Sequence, residues 1–304
     1  MRANAAAAVT CPETSAGWVK HASNPVLGGD LGTVFDVSVL YDGNGYRMWF
    51  SWRPKKNIAL VESKDGVHWN RPTVVLGPNP GSGWEDDLNR PVVLFHEGSF
   101  RMWYTGQARK HSWIGYATSP DGITWGQAST QPVLAPELRW EKRSLMCPHV
   151  LWDDTLHAFR MWYSGGGQYE PVAIGYATSP DGLHWTRLKK PVFTPAKDAP
   201  WERERVAACQ VIKSRDWFLM FYIGFSDIDH ARIGVARSKD GIFGWERHPS
   251  NPILAPGKGT WDGDACYKPY AIFDGSRWLL WYNGRRGSVE QIGLATHERE
   301  DLGF

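Results

Sequence analysis

An all-β fold of repeated four-stranded antiparallel units is predicted by three features of the sequence. A short aromatic segment recurs five times, a second apolar segment follows each copy, and an Asp-Gly turn ends four of the five units. The first segment reads YRMWFSW (46–52), FRMWYTG (100–106), FRMWYSG (159–165), FLMFYIG (218–224) and WLLWYNG (278–284). Its closing aromatic stands at Phe50, Tyr104, Tyr163, Tyr222 and Tyr282, in steps of 54, 59, 59 and 60 residues. Short runs rich in aromatic residues, bounded by turn residues, read as strands.

The second segment reads IALVES (58–63), IGYATS (114–119), IGYATS (174–179), IGVARS (233–238) and IGLATH (292–297). Four copies lead into SKDGVHW, SPDGITW, SPDGLHW and SKDGIFGW, where Gly accepts the positive φ of a tight turn. Ahead of each aromatic strand lies a third apolar stretch: DVSVLYDG, RPVVLFHEG, CPHVLWDD, CQVIKSRD and KPYAIFDG. Each unit therefore has an inner strand A, then B and C, then an outer strand D starting near the Trp. Units of this kind and period are propeller blades. The fifth unit lacks a D strand before the chain ends at Phe304, yet GWVKHASNPVLGG (17–29) matches GWERHPSNPILAPG (244–257), the D strand of unit four. The expectation is a single domain over residues 1–304, a five-bladed β-propeller whose last blade is completed by the N-terminal strand, with residues 1–16 a flexible leader.

Composition bounds the function. The chain is 42% hydrophobic, which excludes disorder, and 32 Gly with 20 Pro disfavour long helices. A formal charge of +2 argues against nucleic acid as partner, and no apolar run is long enough for a transmembrane helix, so neither nucleic acid nor membrane is expected. The first eleven residues lack the apolar stretch of an intact signal peptide. Cys11, Cys147, Cys209 and Cys266 contain no C-x-x-C pair, so neither a disulfide framework nor a zinc knuckle is indicated; the last three read as small apolar fillers of a narrow axis. No metal site and no cofactor are expected. The 18 Trp suit both strand packing and sugar stacking.

Strand alternation places the D-to-A and B-to-C loops at one end, where they converge on the axis. Aligned A strands put Asp36, Arg90, Cys147, Ala208 and Lys268 at equivalent positions. The D-to-A loops carry Trp–acid pairs, Trp84-Glu85, Trp140-Glu141, Trp201-Glu202 and Trp261-Asp262, followed by Asp86 and Asp87, Arg143, Glu204 and Asp264. The B-to-C loops add Trp52 with Arg53, Gln107, Tyr169, Asp227 with His230, and Arg285 with Arg286. Carboxylates and cations around one axis are costly without a task or mutual pairing.

Over its whole length the repeated FRMWYSG–IGYATSPDGLHW pattern resembles the five-bladed propeller glycosidases, the arabinanase, levansucrase and invertase superfamily that includes glycoside hydrolase family 43. The resemblance implies an axial funnel with an aspartate on the first inner strand as base or nucleophile, a glutamate on a later blade as acid, and a further aspartate that tunes or orients. Asp36 matches the first. Blade three reads Met146-Cys147-Pro148 where relatives carry an aspartate, and Glu204 is the glutamate nearest the acid's place, which marks a divergent member.

The expected activity is hydrolysis of a furanoside, arabinofuranoside-like first and fructofuranoside next, by paired carboxylates on a carbohydrate substrate. Asp36, Glu204, Asp87 and Asp264 are the catalytic candidates; Trp52, Arg90, Gln107, Lys268 and Arg285 are the substrate-binding ones. Each has a plainer reading. Asp36 can be a structural acid paired with Arg90 or Lys268, WERERV a solvated charge run, and the aspartates helpers of loop geometry. Trp52 can simply pack over the mouth. Two other functions fit the pattern. One is a glycoside phosphorylase, with Arg53, Lys55, Lys56, Arg285 and Arg286 gathered around phosphate; the other is a non-catalytic carbohydrate-binding propeller.

Overall fold

The computed structural model describes residues 11–167, 170–227 and 229–304, and within them the chain is all-β, with no α-helix. The first repeat forms β2 (Val34–Tyr41), β3 (Tyr46–Trp52), β4 (Asn57–Ser63) and β5 (Thr73–Leu76). The second forms β6 (Asp87–His96), β7 (Ser99–Ala108), β8 (His111–Ser119) and β9 (Gly126–Gln127). The third forms β10 (Ser144–Asp153), β11 (Ala158–Gly167), β12 (Glu170–Ser179) and β13 (Thr186–Arg187). The fourth forms β14 (Arg205–Ser214), β15 (Trp217–Phe225), β16 (Ala231–Ser238) and β17 (Glu246–Arg247). The fifth forms β18 (Ala265–Phe273), β19 (Trp278–Arg286) and β20 (Val289–His297). Its outer strand comes from the other end of the chain: β1 (Val19–Lys20) pairs antiparallel with β20 through Val19↔Thr296 and Lys20↔Ala295.

The sheets do not close on one another through hydrogen-bonded ladders. Repeats two and three share a sheet through one parallel pair, Ser144↔Ser112, and the other three repeats form separate four-stranded sheets. Packing does the joining. The inner strands β2, β6, β10, β14 and β18 touch in that order, and β18 also touches β2. Apolar clusters fill the spaces between neighbouring repeats, and one of them sets Leu279, Trp281 and Leu294 against Val39, Met48 and Phe50, joining the fifth repeat to the first.

Two recurring hydrogen-bond devices explain the repeated residues. The B-strand Trp of one repeat donates its indole N–H to the turn-glycine carbonyl of the next: Trp49 to Gly122, Trp103 to Gly182, Trp162 to Gly241 and Trp281 to Gly66, at 2.8–3.0 Å. Phe221 takes the place of Trp in the fourth repeat, whose neighbour has no Asp-Gly turn; there Trp18 packs edge-on against Phe221 at 5.9 Å.

The second device uses the Trp–acid pairs. Glu85, Glu141 and Asp262 accept the hydroxyls of Tyr104, Tyr163 and Tyr282 at 2.7–3.0 Å. Each acid also meets a D-strand donor: Gln127 for Glu85, Arg187 for Glu141, Arg247 for Glu202, and Lys20 for Asp262 at 2.6 Å. Lys20 thus gives the fifth repeat what Arg187 and Arg247 give the third and fourth. Asn24 repeats the role of Asn251, its side chain bonding both backbone groups of Leu294 as Asn251 bonds those of Val235.

Residues 1–10 of the expected leader lie outside the described residues. Its remainder is held: Thr14 bridges Leu254, and the amide of Ser15 donates to the Ile253 carbonyl.

Candidate functional site

The five aligned A-strand positions share one backbone device. Asp36, Arg90, Cys147, Ala208 and Lys268 have φ of 54°, 56°, 52°, 41° and 50°. Each sits where the A–B ladder slips: between Phe35 and Ser38, Asn89 and Val92, Met146 and His149, Ala207 and Gln210, and Tyr267 and Tyr270. These are bulges, and a non-glycine residue in the left-handed region costs about 1–3 kcal/mol, so the surrounding structure must hold each in place. A B-strand side chain of the preceding repeat does so for four of them. The amides of Arg90, Cys147 and Ala208 donate to the hydroxyls of Ser51, Thr105 and Ser164, and that of Asp36 donates to the amide oxygen of Asn283. In the fourth repeat Ile223 stands at that B-strand position and offers no acceptor to Lys268.

The bulges open onto a cavity of about 260 Å³. Asp36, Arg90, Cys147 and Ala208 form part of its wall, with Phe35, Phe225 and Tyr267; Arg53, Asp229, Arg285 and Glu290 come from the B-to-C side. Asp36 is buried and both its oxygens are engaged: Asn283 Nδ2 donates to Oδ1 at 2.6 Å and Arg90 Nε lies 3.2 Å from Oδ2. The Arg53 guanidinium lies over the Phe35 ring at 4.3 Å, and one of its nitrogens is 3.9 Å from Glu290 Oε2. Burial raises the Glu290 carboxyl above its ordinary value of 4.5; the Tyr267 hydroxyl and Arg53 oppose that shift, and Asp36 adds to it. Burial, reinforced by Glu290, pushes the Tyr267 phenol well up.

The structure gathers some of the expected residues and disperses others. Asp36, Arg90 and Arg285 line the cavity, and Lys268 is buried at the equivalent bulge. Glu204 does not reach it: its side chain is 55% exposed and pairs with adjacent Arg203. Asp87 accepts from Asn89, and exposed Asp264 accepts the Gly287 amide at 2.6 Å. These three acids follow Trp–acid pairs whose own carboxylates turn inward to lock the sheet, which directs the following residues outward. Gln107 is buried between Asn89 and Ser112, and Trp52 donates its indole N–H to the Leu31 carbonyl; neither lines the cavity. Of the cations considered for phosphate, Arg53 and Arg285 line it, whereas Lys55, Lys56 and Arg286 are exposed outside it. Tyr169 lies outside the described residues, and Asp227 and His230 pair with each other at 2.8 Å.

Sequence reasoning passed over Glu290 as a catalytic candidate. A positional signal exists: two residues before the Ile that opens each second segment stand Lys56, Ser112, Val172, Ala231 and Glu290. Glu290 is the acid among them, on the B-to-C side rather than in the D-to-A loops where acids are plentiful.

With the bulge-lined, carboxylate-bearing cavity described, the profile of glycosyl hydrolases family 43 matches residues 22–301. The chain belongs to that family and has its propeller fold. Among curated relatives, two uncharacterized proteins of Mycobacterium tuberculosis are 31% identical over 183 residues, 56% of this chain and 59% of theirs. The chain thus matches about three fifths of the length of these relatives. A 1,2-beta-oligomannan phosphorylase of Thermoanaerobacter sp. is 31% identical over 242 residues, 75% of each chain. Among solved structures, a thermostable family-43 glycoside hydrolase superposes with a TM-score of 0.72 at 19% identity, covering 89% of this chain and 91% of its own. An exo-1,5-alpha-L-arabinanase from a bovine ruminal metagenomic library gives 0.66 at 15%, covering 90% and 95%.

Proposed function

We propose that this five-bladed propeller hydrolyses a terminal furanoside in the axial cavity, with Asp36 as base or nucleophile and Glu290 as proton donor. The observation that carries this reading is the pairing of two differently treated carboxyls in one cavity. Asp36 is fixed at both oxygens by Asn283 and Arg90, so it has a set direction. Glu290 is held toward its neutral form by burial, as a proton donor near neutral pH requires. Glu290 would protonate the departing glycosidic oxygen while Asp36 attacks the anomeric carbon or activates water against it. A cavity of about 260 Å³ lies at the small end of ligand pockets, which suits a terminal sugar better than a threaded chain. The arabinanase neighbour supports the furanoside preference.

Turnover of a panel of nitrophenyl furanosides and pyranosides tests the reading. Asp36→Asn is expected to lower kcat by roughly a thousandfold or more, and Glu290→Gln by about a hundredfold, less on nitrophenyl leaving groups that need little protonation. Glu204→Gln should keep wild-type rates. Full activity in Glu290→Gln on an alkyl glycoside would remove Glu290 from the donor role.

Phosphorolysis is the second reading, supported by the phosphorylase relative and by Arg53 and Arg285 on the cavity wall. Phosphate-dependent turnover distinguishes the two.

A further inference from the structure

The lining of the cavity is divided. Its charged groups are matched among themselves: Arg90 lies 3.2 Å from Asp36, Arg53 3.9 Å from Glu290, and Arg285 3.9 Å from exposed Asp229. Apart from Asp229, these come from repeats one, two and five. Repeats three and four, across the ring, present Met146 and Cys147 of β10, Ala207 and Ala208 of β14, and Ala231 of β16. Ala265, at the start of β18, continues that wall, and the six residues belong to one buried apolar cluster.

The other repeats show that this wall departs from the pattern. At the bulge position, repeats one, two and five carry Asp36, Arg90 and Lys268, where repeats three and four carry Cys147 and Ala208. Ile223 of β15 also lines the cavity, at the B-strand position that Ser51, Thr105, Ser164 and Asn283 hold in the other repeats. Backbone donors are withheld as well, because the amides of Cys147 and Ala208 are bound to the Thr105 and Ser164 hydroxyls at 3.1 and 2.7 Å. Burial pushes the Cys147 thiol up to about 11, so it meets a ligand as a small neutral hydrophobe. A sugar hydroxyl pressed against this wall gives up water and finds no side-chain oxygen or nitrogen there, whereas a methyl group or a C–H bond gains by leaving water.

We infer that the cavity selects a deoxy sugar, one whose edge toward repeats three and four carries a methyl group or hydrogen where common sugars carry a hydroxyl or hydroxymethyl. This rests on the reading of the cavity as the substrate site and names the sugar class that enters it; for a furanoside it means a 5-deoxypentose. The remaining hydroxyls turn to the charged side, where Asp36 and Glu290 act. Cys147, Ala208 and Ile223 set specificity and take no part in breaking the bond.

Two pairs of ligands that differ in a single hydroxyl test this on the full chain, by calorimetry and ligand-observed NMR. They are methyl 5-deoxyarabinofuranoside against methyl arabinofuranoside, and methyl L-fucoside against methyl L-galactoside. The deoxy member of at least one pair should bind roughly tenfold or more tightly than its partner. Equal or weaker binding of the deoxy member in both pairs overturns the inference, since the wall would then only face ring C–H bonds. Cys147→Ser and Ala208→Ser each place a hydroxyl on the wall and should cut the ratio several-fold, chiefly by improving the hydroxylated member. Lost packing alone would weaken both members alike and leave the ratio where it was. Ala208→Ser carries the test if Cys147→Ser does not fold, and a ratio that neither variant moves overturns the inference. Deoxy preference without Asp36-dependent turnover of the matching nitrophenyl glycoside would overturn the glycosidase mechanism alone. Asp36-dependent turnover without that preference would overturn this inference alone.

Discussion

Glu290 and Asp36 differ in what surrounds them, and that difference has a pH signature. In the unfolded chain Glu290 titrates near 4.5; in the folded protein it titrates higher. Between those values the folded state keeps a proton that the unfolded chain has released, so stability falls as pH rises through the window from 4.5 upward. Glu290→Gln removes that dependence. Its melting temperature should therefore gain on wild type across the window, and a constant gap would mean that Glu290 titrates alike in both states. If Glu290 is the proton donor, wild-type kcat falls as pH climbs through the same raised value.

Among the residues, the aligned bulges were legible from the repeat, and the positive φ at all five shows that the alignment identified a conformation as well as a position. The role of the Trp–acid pairs was not legible in the sequence, for a physical reason. A carboxylate beside Trp at the head of each repeat reads equally as a funnel acid or a buried lock, and only the partner decides. The partner is a Tyr about 20 residues on, together with a D-strand donor that in the fifth repeat comes from residue 20.

At the scale of the element, two substitutions test these locks. Lys20→Met strips the ion pair from Asp262, whose side chain is 1% exposed, and should cost about 3 kcal/mol in urea unfolding because a buried charge loses its partner. A cost near zero would mean that Thr260 and Tyr282 satisfy Asp262 without Lys20. The Ile-Gly pairs that open four of the second segments record another constraint. A Cβ on Gly175 would stand 2.5 Å from Tyr163 Cζ and 2.8 Å from Trp140 Cη2, so the strand passes directly over two stacked rings. Gly175→Ala should destabilise by about 1–3 kcal/mol, the usual cost of overpacking, with the near-ultraviolet dichroism of the aromatic residues altered. An unchanged unfolding midpoint would show that the rings yield.

For the whole molecule, the N-terminal segment is the decisive joint. It brings Trp18 to Phe221, Lys20 to Asp262, Asn24 to Leu294 and β1 to β20. Removing residues 1–28 would expose the β20 edge and leave Asp262 without its cation. The expected result is loss of a single cooperative unfolding transition, together with self-association seen by light scattering. A monomer with wild-type cooperativity would mean that packing between the fifth and first repeats suffices.

The sequence by itself determined the repeat, its strands, its turns and the origin of the last outer strand, because these depend on local periodicity and on residues that recur in register. It also placed Asp36 and Arg90, since they occupy the repeated bulge. Tertiary structure decided which of the non-repeating charges share a cavity. Glu204 and Glu290 are both glutamates near strand ends, but one loop turns its side chain to solvent while the B-to-C side of the fifth repeat turns the other toward Asp36. Direction, burial and the identity of a partner more than 200 residues away are properties of the packed repeats, and no local pattern encodes them.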